Sequence, residues 1–272
     1  NSSGYMKTFN ILPVRLTINW RETVFEYTGS PILPVAEFGG VVVNTTCDPI
    51  IEAYDPETDK AIDAIDADEA TPYHARITGF GNPNYSLDGI PKDELETLFT
   101  IKKANLIIRL AEDRVKYGKP VTLKAICTNK NDVVINDVGD ISFMFLKTLG
   151  DIGDIDGNEL TPTAIGTDML RIDITGNDNV NANSASYPFT IELGDAPLKF
   201  EHGAAVYGTE YTINFVNNVE NAQLSNIRFE DGTGSAHSVN GLTVMPTRAG
   251  TLKVYVTTSE TKHYAGGEML FE

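Results

Sequence analysis

The sequence predicts an all-β chain of three tandem β-sandwich domains in an elongated array. Turn residues recur roughly every ten positions with alternating apolar segments between them, the pattern of short sandwich strands. No segment shows the periodicity of a long amphipathic helix. A set of landmarks also repeats at a fixed interval, the mark of a repeat architecture. An aromatic–glycine step stands at Tyr27-Thr28-Gly29, Tyr117-Gly118 and Tyr207-Gly208, so its tyrosines are 90 residues apart twice. Closing strands carry Leu98-Phe99-Thr100-Ile101, Pro188-Phe189-Thr190-Ile191 and Leu270-Phe271. Phe99 to Phe189 is again 90 residues, and Phe189 to Phe271 is 82, which makes the third copy shorter. Between these landmarks, late strands at 73–79, 169–176 and 251–257 each run into a turn rich in Asn, Asp, Ser or Tyr. The predicted domains are 1–103, with 1–12 as a loose lead-in, then 104–195 and 196–272.

Composition narrows the function classes. The 272 residues are 41% hydrophobic, enough for two or three separate cores. The net charge of −17 repels phosphate backbones and argues against a nucleic-acid partner. Cys47 and Cys127, the two cysteines, fall in different repeats at unmatched places, so they read as buried thiols. No run approaches about 20 apolar residues, so no membrane-inserting segment is expected here. Residues 1–9 show no signal peptide and read as a processed or truncated terminus.

From Pro13 the alternation Val14, Leu16, Ile18, Trp20 marks a half-buried strand, with core packing expected for the single tryptophan and sugar stacking as the competing role. Strand character continues over 22–27, and Gly29-Ser30-Pro31 is turn chemistry. A strand pair is expected over 35–43, around Gly39-Gly40. Residues 52–69 hold eight acids, and 59–70 fits a short helix with Ile62 and Ile65 on one face. The acids read as a solvated face, with a calcium or basic-partner site as the sharper alternative. Strands follow at 121–127, 141–146, 211–215 and 242–245, and the joints at 101–104 and 194–197 lack any Gly/Ser linker. In 151–159 the side chains of Asp154, Asp156 and Asn158 are weak calcium candidates, at loop positions one, three and five. Position six is Glu159 where a calcium loop needs glycine, and position twelve is Ile165 where glutamate belongs, so a hairpin turn on Gly157 competes.

At Tyr117-Gly118, Phe99-Thr100-Ile101-Lys102-Lys103-Ala104 and the turn Ile77-Thr78-Gly79…Asn84-Tyr85, the chain resembles the immunoglobulin-like repeats of bacterial surface proteins, above all the MBG/YDG-type modules. The resemblance covers essentially the whole chain, and the third copy departs most, since Tyr264-Ala265-Gly266-Gly267 keeps the turn without the closing motif. It implies immunoglobulin-like domains in an extracellular or cell-surface stalk or adhesin region, and it brings no active-site residues. Lysine–asparagine crosslinks known from such modules need an asparagine in the closing strand, and 186–191 and 268–271 contain none.

No catalytic constellation is expected. His74, His202, His237 and His263 are scattered, with no nucleophile motif beside them and no zinc-ligand spacing. Gly79-Phe80-Gly81 lacks the rest of a phosphate loop. The expected function is that of a monomeric, non-catalytic stalk, spacer or binding region with no resident cofactor. Its partners would be a host or glycan surface or another protein. Competing readings are the accessory region of a larger secreted polysaccharide-active enzyme and a calcium-stiffened rod. Packing is the role expected first for the turn aromatics Tyr85, Tyr187 and Tyr264; should the chain bind a ligand, they are where it would stack.

Overall fold

A computed structural model describes residues 10–196, 198–200, 205–216 and 219–271. Among these the chain is all-β, as the sequence predicts. Strands are interrupted only by a four-residue helix, Lys92–Leu95, and a 3-10 turn, Val219–Asn221. The chain divides into two compact units. One comprises Asn1–Arg109, Ile126–Ile141 and Asp173–Ser184; the other comprises Leu110–Ala125, Ser142–Ile172 and Ala185–Glu272.

The first unit is built on a five-stranded sheet in the order Val24–Glu26, Glu96–Lys102, Asp68–Phe80, Pro49–Asp55, Lys60–Ile62. Alternation sends Ala75, Ile77, Phe99 and Ile101 to its covered face, each 3% exposed or less. Phe99 is flanked by Phe25 edge-on at 6.0 Å and by Tyr73 stacked at 5.5 Å. A second, two-stranded sheet pairs Thr17–Trp20 with Ala36–Gly39. It meets the first where Phe38 packs edge-on against Phe80, over a cluster of Leu16, Cys47 and Tyr85. Facing sheets over an alternating core are sandwich packing.

Two local expectations fail here. Residues 59–70 form no helix: Lys60–Ile62 pairs antiparallel with Ala53–Asp55, and the next strand starts at Asp68. An available sheet edge outweighs a two-residue apolar spacing. Residues 35–43 hold one strand rather than two, because Gly40 at φ +87° ends it.

A four-stranded sheet runs Arg114–Lys116, Asn183–Glu192, Gly166–Ile174, Ile141–Phe145. A three-stranded sheet, Val121–Thr122, Glu159–Pro162, Gly153–Asp156, faces it. A Cβ on Gly153 would lie 2.6 Å from the Leu160 side chain and 3.1 Å from the Thr161 carbonyl, both of the neighbouring strand, so glycine here leaves Leu160 its place in the core. Phe189, Leu170, Ile172 and Leu160 are fully buried between the two sheets. Farther along the chain, Val244 of Thr243–Arg248 and Val254 of Leu252–Thr258 come from different sheets. They meet in one cluster with Ile213, Phe215, Phe229 and Phe271.

The 90-residue period reappears in the hydrogen bonding. Val24↔Thr100, Phe25↔Ile101 and Glu26↔Lys102 form a parallel ladder, and Arg114↔Thr190, Val115↔Ile191 and Lys116↔Glu192 repeat it with every number raised by 90. The bonds at its ends repeat too. Tyr27 N–H donates to the Lys102 carbonyl and Tyr117 N–H to that of Glu192, both at 2.9 Å.

Candidate functional site

The recurrent turns rich in polar residues are where the structure concentrates its specific contacts. Each holds a segment of chain from far away in a parallel bridge. Ala104, just past one closing strand, bridges Val180: its N–H donates to the Asn179 carbonyl at 3.0 Å, and Asn181 N–H donates to its carbonyl at 3.0 Å. Gly194, just past the next closing strand, bridges Tyr264 in the same way, through His263 O at 2.9 Å and Ala265 N–H at 2.8 Å.

In the first bridge every asparagine of the turn is committed. Asn177 Oδ1 accepts the N–H groups of Asn179 at 2.8 Å and Val180 at 3.0 Å, an Asx turn that fixes the loop. Its amide donates to Asp137, and Lys103 Nζ donates to its carbonyl at 2.8 Å. Asn179 Oδ1 accepts from Ala67 N–H at 2.7 Å, and its amide donates to Asp66 at 3.0 Å. Asn181 and Asn183 donate to Asn105 Oδ1 and the Leu106 carbonyl. Ala104 is fully buried. Beside it, Asn105 N–H donates to Glu26 Oε1 at 2.8 Å. Tyr27 is buried too; that burial, then the charges of Asp137 and Asp66, raise its hydroxyl pKa.

The second bridge uses aromatic and ionic groups. His263 lies flat on Tyr117 at 4.5 Å and 13°, and Tyr264 meets the same ring edge-on at 5.5 Å. His263 Nδ1 is 2.5 Å from Glu220 Oε1, while its Nε2 is buried without a protein partner. Hydrogen bonds from Thr261 and then His263 hold the Glu220 carboxyl below its usual range. Here the aromatic–glycine step acquires a reason. Tyr117 gives the stacking face, and Gly118 at φ +103° lets the Tyr264 ring lie where a Cβ would sit 3.2 Å away. At Gly194 a Cβ would meet the Tyr117 carbonyl at 2.4 Å.

The residues singled out from sequence are distributed as follows. Asp154 and Asp156 lie on Gly153–Asp156 of a hairpin closed by Gly157 (φ +61°) and Asn158. Among the described residues no three His, Cys, Asp or Glu side chains gather as a metal would require. Tyr85 takes the packing role expected first for it. It is 5% exposed, with its hydroxyl accepting from Val42 N–H at 3.0 Å and 2.5 Å from Thr45 Oγ1. Tyr187 is half-buried on its strand, and Tyr264 packs in the second bridge. His74 packs edge-on against Tyr54, His237 is exposed, and His202 lies outside the described residues. Both cysteines are buried free thiols, as expected. Trp20 is half-buried, with Nε1 donating to the Glu94 carbonyl at 3.1 Å. Five of the eight acids of 52–69 are exposed, as expected of a solvated face; within it Glu52 and Asp59 pair with Arg76, and Asp55 and Asp68 accept backbone N–H groups.

Sequence reasoning missed Asp168, which is wholly buried in the second unit. Its carboxylate accepts the N–H groups of Lys147 at 2.7 Å and of Thr148 and Leu149 at 3.0 Å, plus the Thr148 hydroxyl. Burial alone would raise its pKa, but bonds from Leu149, Met169, Thr148 and Lys147 outweigh it and bring the value to about 2.

No family model matches the chain, and no curated protein matches it. Among solved structures, it is similar to the surface layer protein SbsC, domains 1-6, at 13% identity and TM-score 0.37, over 96% of this chain and 40% of that one. It is similar to titin domains A168-A170 at 13% identity and TM-score 0.34, over 94% of this chain and 97% of that one. It is also similar to the Escherichia coli adhesin FdeC, at 13% identity and TM-score 0.30, over 94% and 96% of the two chains. This chain therefore spans well under half of the SbsC structure, and likeness at this level transfers no binding partner and no residue role.

Proposed function

We propose that the chain is a non-catalytic spacer. In this reading three immunoglobulin-like domains, 1–103, 104–195 and 196–272, follow one another in an elongated array within an extracellular or cell-surface protein. The observation that supports it is the recurrence of one bridge, at Ala104–Val180 and Gly194–Tyr264, at the two places where the repeat starts again. A flexible tether needs no such bridge. A chain that must hold a fixed direction through each joint needs a second attachment beyond the covalent one, and a turn clasping the exit strand supplies it. The polar turns then serve as clasps rather than ligand loops, which accounts for their chemistry without a substrate.

Small-angle scattering on the 272-residue protein tests this reading. The expected pair-distance distribution has a peak near one domain width and a long tail that is unchanged by moderate salt. A symmetric distribution from one compact particle would overturn the array, and a broad, salt-dependent one would overturn the clasped joints.

A further inference from the structure

A third bridge of the same form lies earlier in the chain. Val14 pairs in parallel with Tyr85, and its N–H donates to the Asn84 carbonyl at 2.8 Å, as Ala104 does to Asn179 and Gly194 to His263. The three held residues are 14, 104 and 194, at two intervals of 90. What enters Ala104 and Gly194 is in each case a closing strand, whose Ile101 and Ile191 are 0% and 1% exposed. What enters Val14 is Thr8-Phe9-Asn10-Ile11-Leu12-Pro13, with Phe9 and Ile11 each 90 residues before Phe99 and Ile101. Thr8 and Phe9 enter this comparison by sequence alone. Ile11 is 85% exposed and Leu12 79%, where the matching isoleucines are core. Single exposed apolar residues need no explanation. A repeat-register Phe-x-Ile leading into an occupied clasp does.

We infer that Asn10-Ile11-Leu12, in the described part of the segment entering Val14, ends a closing strand cut to complete a further copy of the same repeat formed by chain N-terminal to it. Its docking surface is the gap in that copy's sheet between the counterparts of Val24–Glu26 and Asp68–Phe80, the two strands that flank the closing strand Glu96–Lys102 here. There Ile11 would pair with the counterpart of Phe25, which pairs in parallel with Ile101 here. The inference rests on the tandem-repeat reading above.

Strand exchange in the 272-residue protein tests it. Residues 97–103 are replaced by 7–13, by 187–193, or by a shuffled 7–13, and unfolding is followed by emission of Trp20, the single tryptophan. The 7–13 chimera is expected to melt within about 5 °C of the parent, while the shuffled one loses the transition. If 187–193 restores folding and 7–13 behaves like the shuffle, this inference falls and the repeat stands. Failure of both would sink the repeat as well. Sedimentation of the parent is expected to show monomer. A dimer abolished by Ile11→Asp would instead make a second copy the occupant and overturn the proposal.

Discussion

The clasps at Ala104 and Gly194 make the same two backbone bonds and share no side-chain chemistry. One is secured by asparagine amides, which carry no charge at any ordinary pH. The other is secured by a ring stack and a histidine–carboxylate pair. Even the flanking contact is inverted. Glu26 accepts from Asn105 N–H in the first, whereas Lys116 Nζ donates to Asp195 at 2.6 Å at the matching place in the second. The difference teaches that the repeat preserves a backbone geometry, and that any side chains able to fix the turn serve. Tyr207 extends the comparison: Tyr27 is 7% exposed and Tyr207 70%, with open space around Gly208.

The largest expected effect breaks the second clasp alone. Gly194→Ala drives a Cβ into the Tyr117 carbonyl and should cost about 2–4 kcal/mol. It should also free the Ala265 amide to exchange hydrogen, while Ala104→Gly costs only about 1 kcal/mol. Equal effects would mean that the two clasps are not built alike. Asp168→Ala comes next, at about 3 kcal/mol, because it leaves buried N–H groups of 147–149 without an acceptor. Since its pKa is depressed, the carboxylate's contribution is complete above the ordinary aspartate range and is lost as pH falls from about 4 toward 2. Comparison of acid-induced unfolding with Asp168→Asn checks this, as the variant should lose that part of the pH dependence.

Asn177→Ala should cost about 1–2 kcal/mol through the Asn179 and Val180 N–H groups it leaves without an acceptor, a part that does not depend on pH. Glu220→Gln should instead remove an acid sensitivity. Because the Glu220 carboxyl is held low, its contribution disappears as pH drops through and below the carboxylate range. Equilibrium denaturation at neutral and acid pH separates the two clasps, and identical profiles would erase the contrast. The smallest effects are expected at the bare tyrosine and the acidic hairpin. Tyr207→Ala should change stability by less than about 0.5 kcal/mol, against about 2 for Tyr117→Ala. A chelator should leave the melting midpoint where it was, and a shift would return Asp154, Asp156 and Asn158 to consideration as a calcium site.

Much of this was legible in the chain itself. Alternation gave the buried faces of the long strands, as at Ala75 and Ile77 or Leu170 and Ile172. The period was visible at Tyr27, Tyr117 and Tyr207 before any pairing was known. The clasps were half legible: the turns and joints stood out separately, but nothing local tells a turn that its partner lies about 70 residues back. Asp168 resembled any other strand aspartate, because its partners are backbone N–H groups that a sequence does not display. Most acids of 52–69 are exposed, as a solvated face predicts; composition did not show that Arg76, from a neighbouring strand, engages Glu52 and Asp59.

By itself the sequence determined that the chain is all-β, that it repeats at 90 residues, and which side chains face inward, because these depend on local periodicity. Tertiary structure alone decided which groups bond the Tyr85 hydroxyl, that 60–62 is a strand, and that the polar turns grip the strands leading into them. Those outcomes depend on which backbone edges and hydroxyl partners arrive from elsewhere, and no local pattern encodes that arrival.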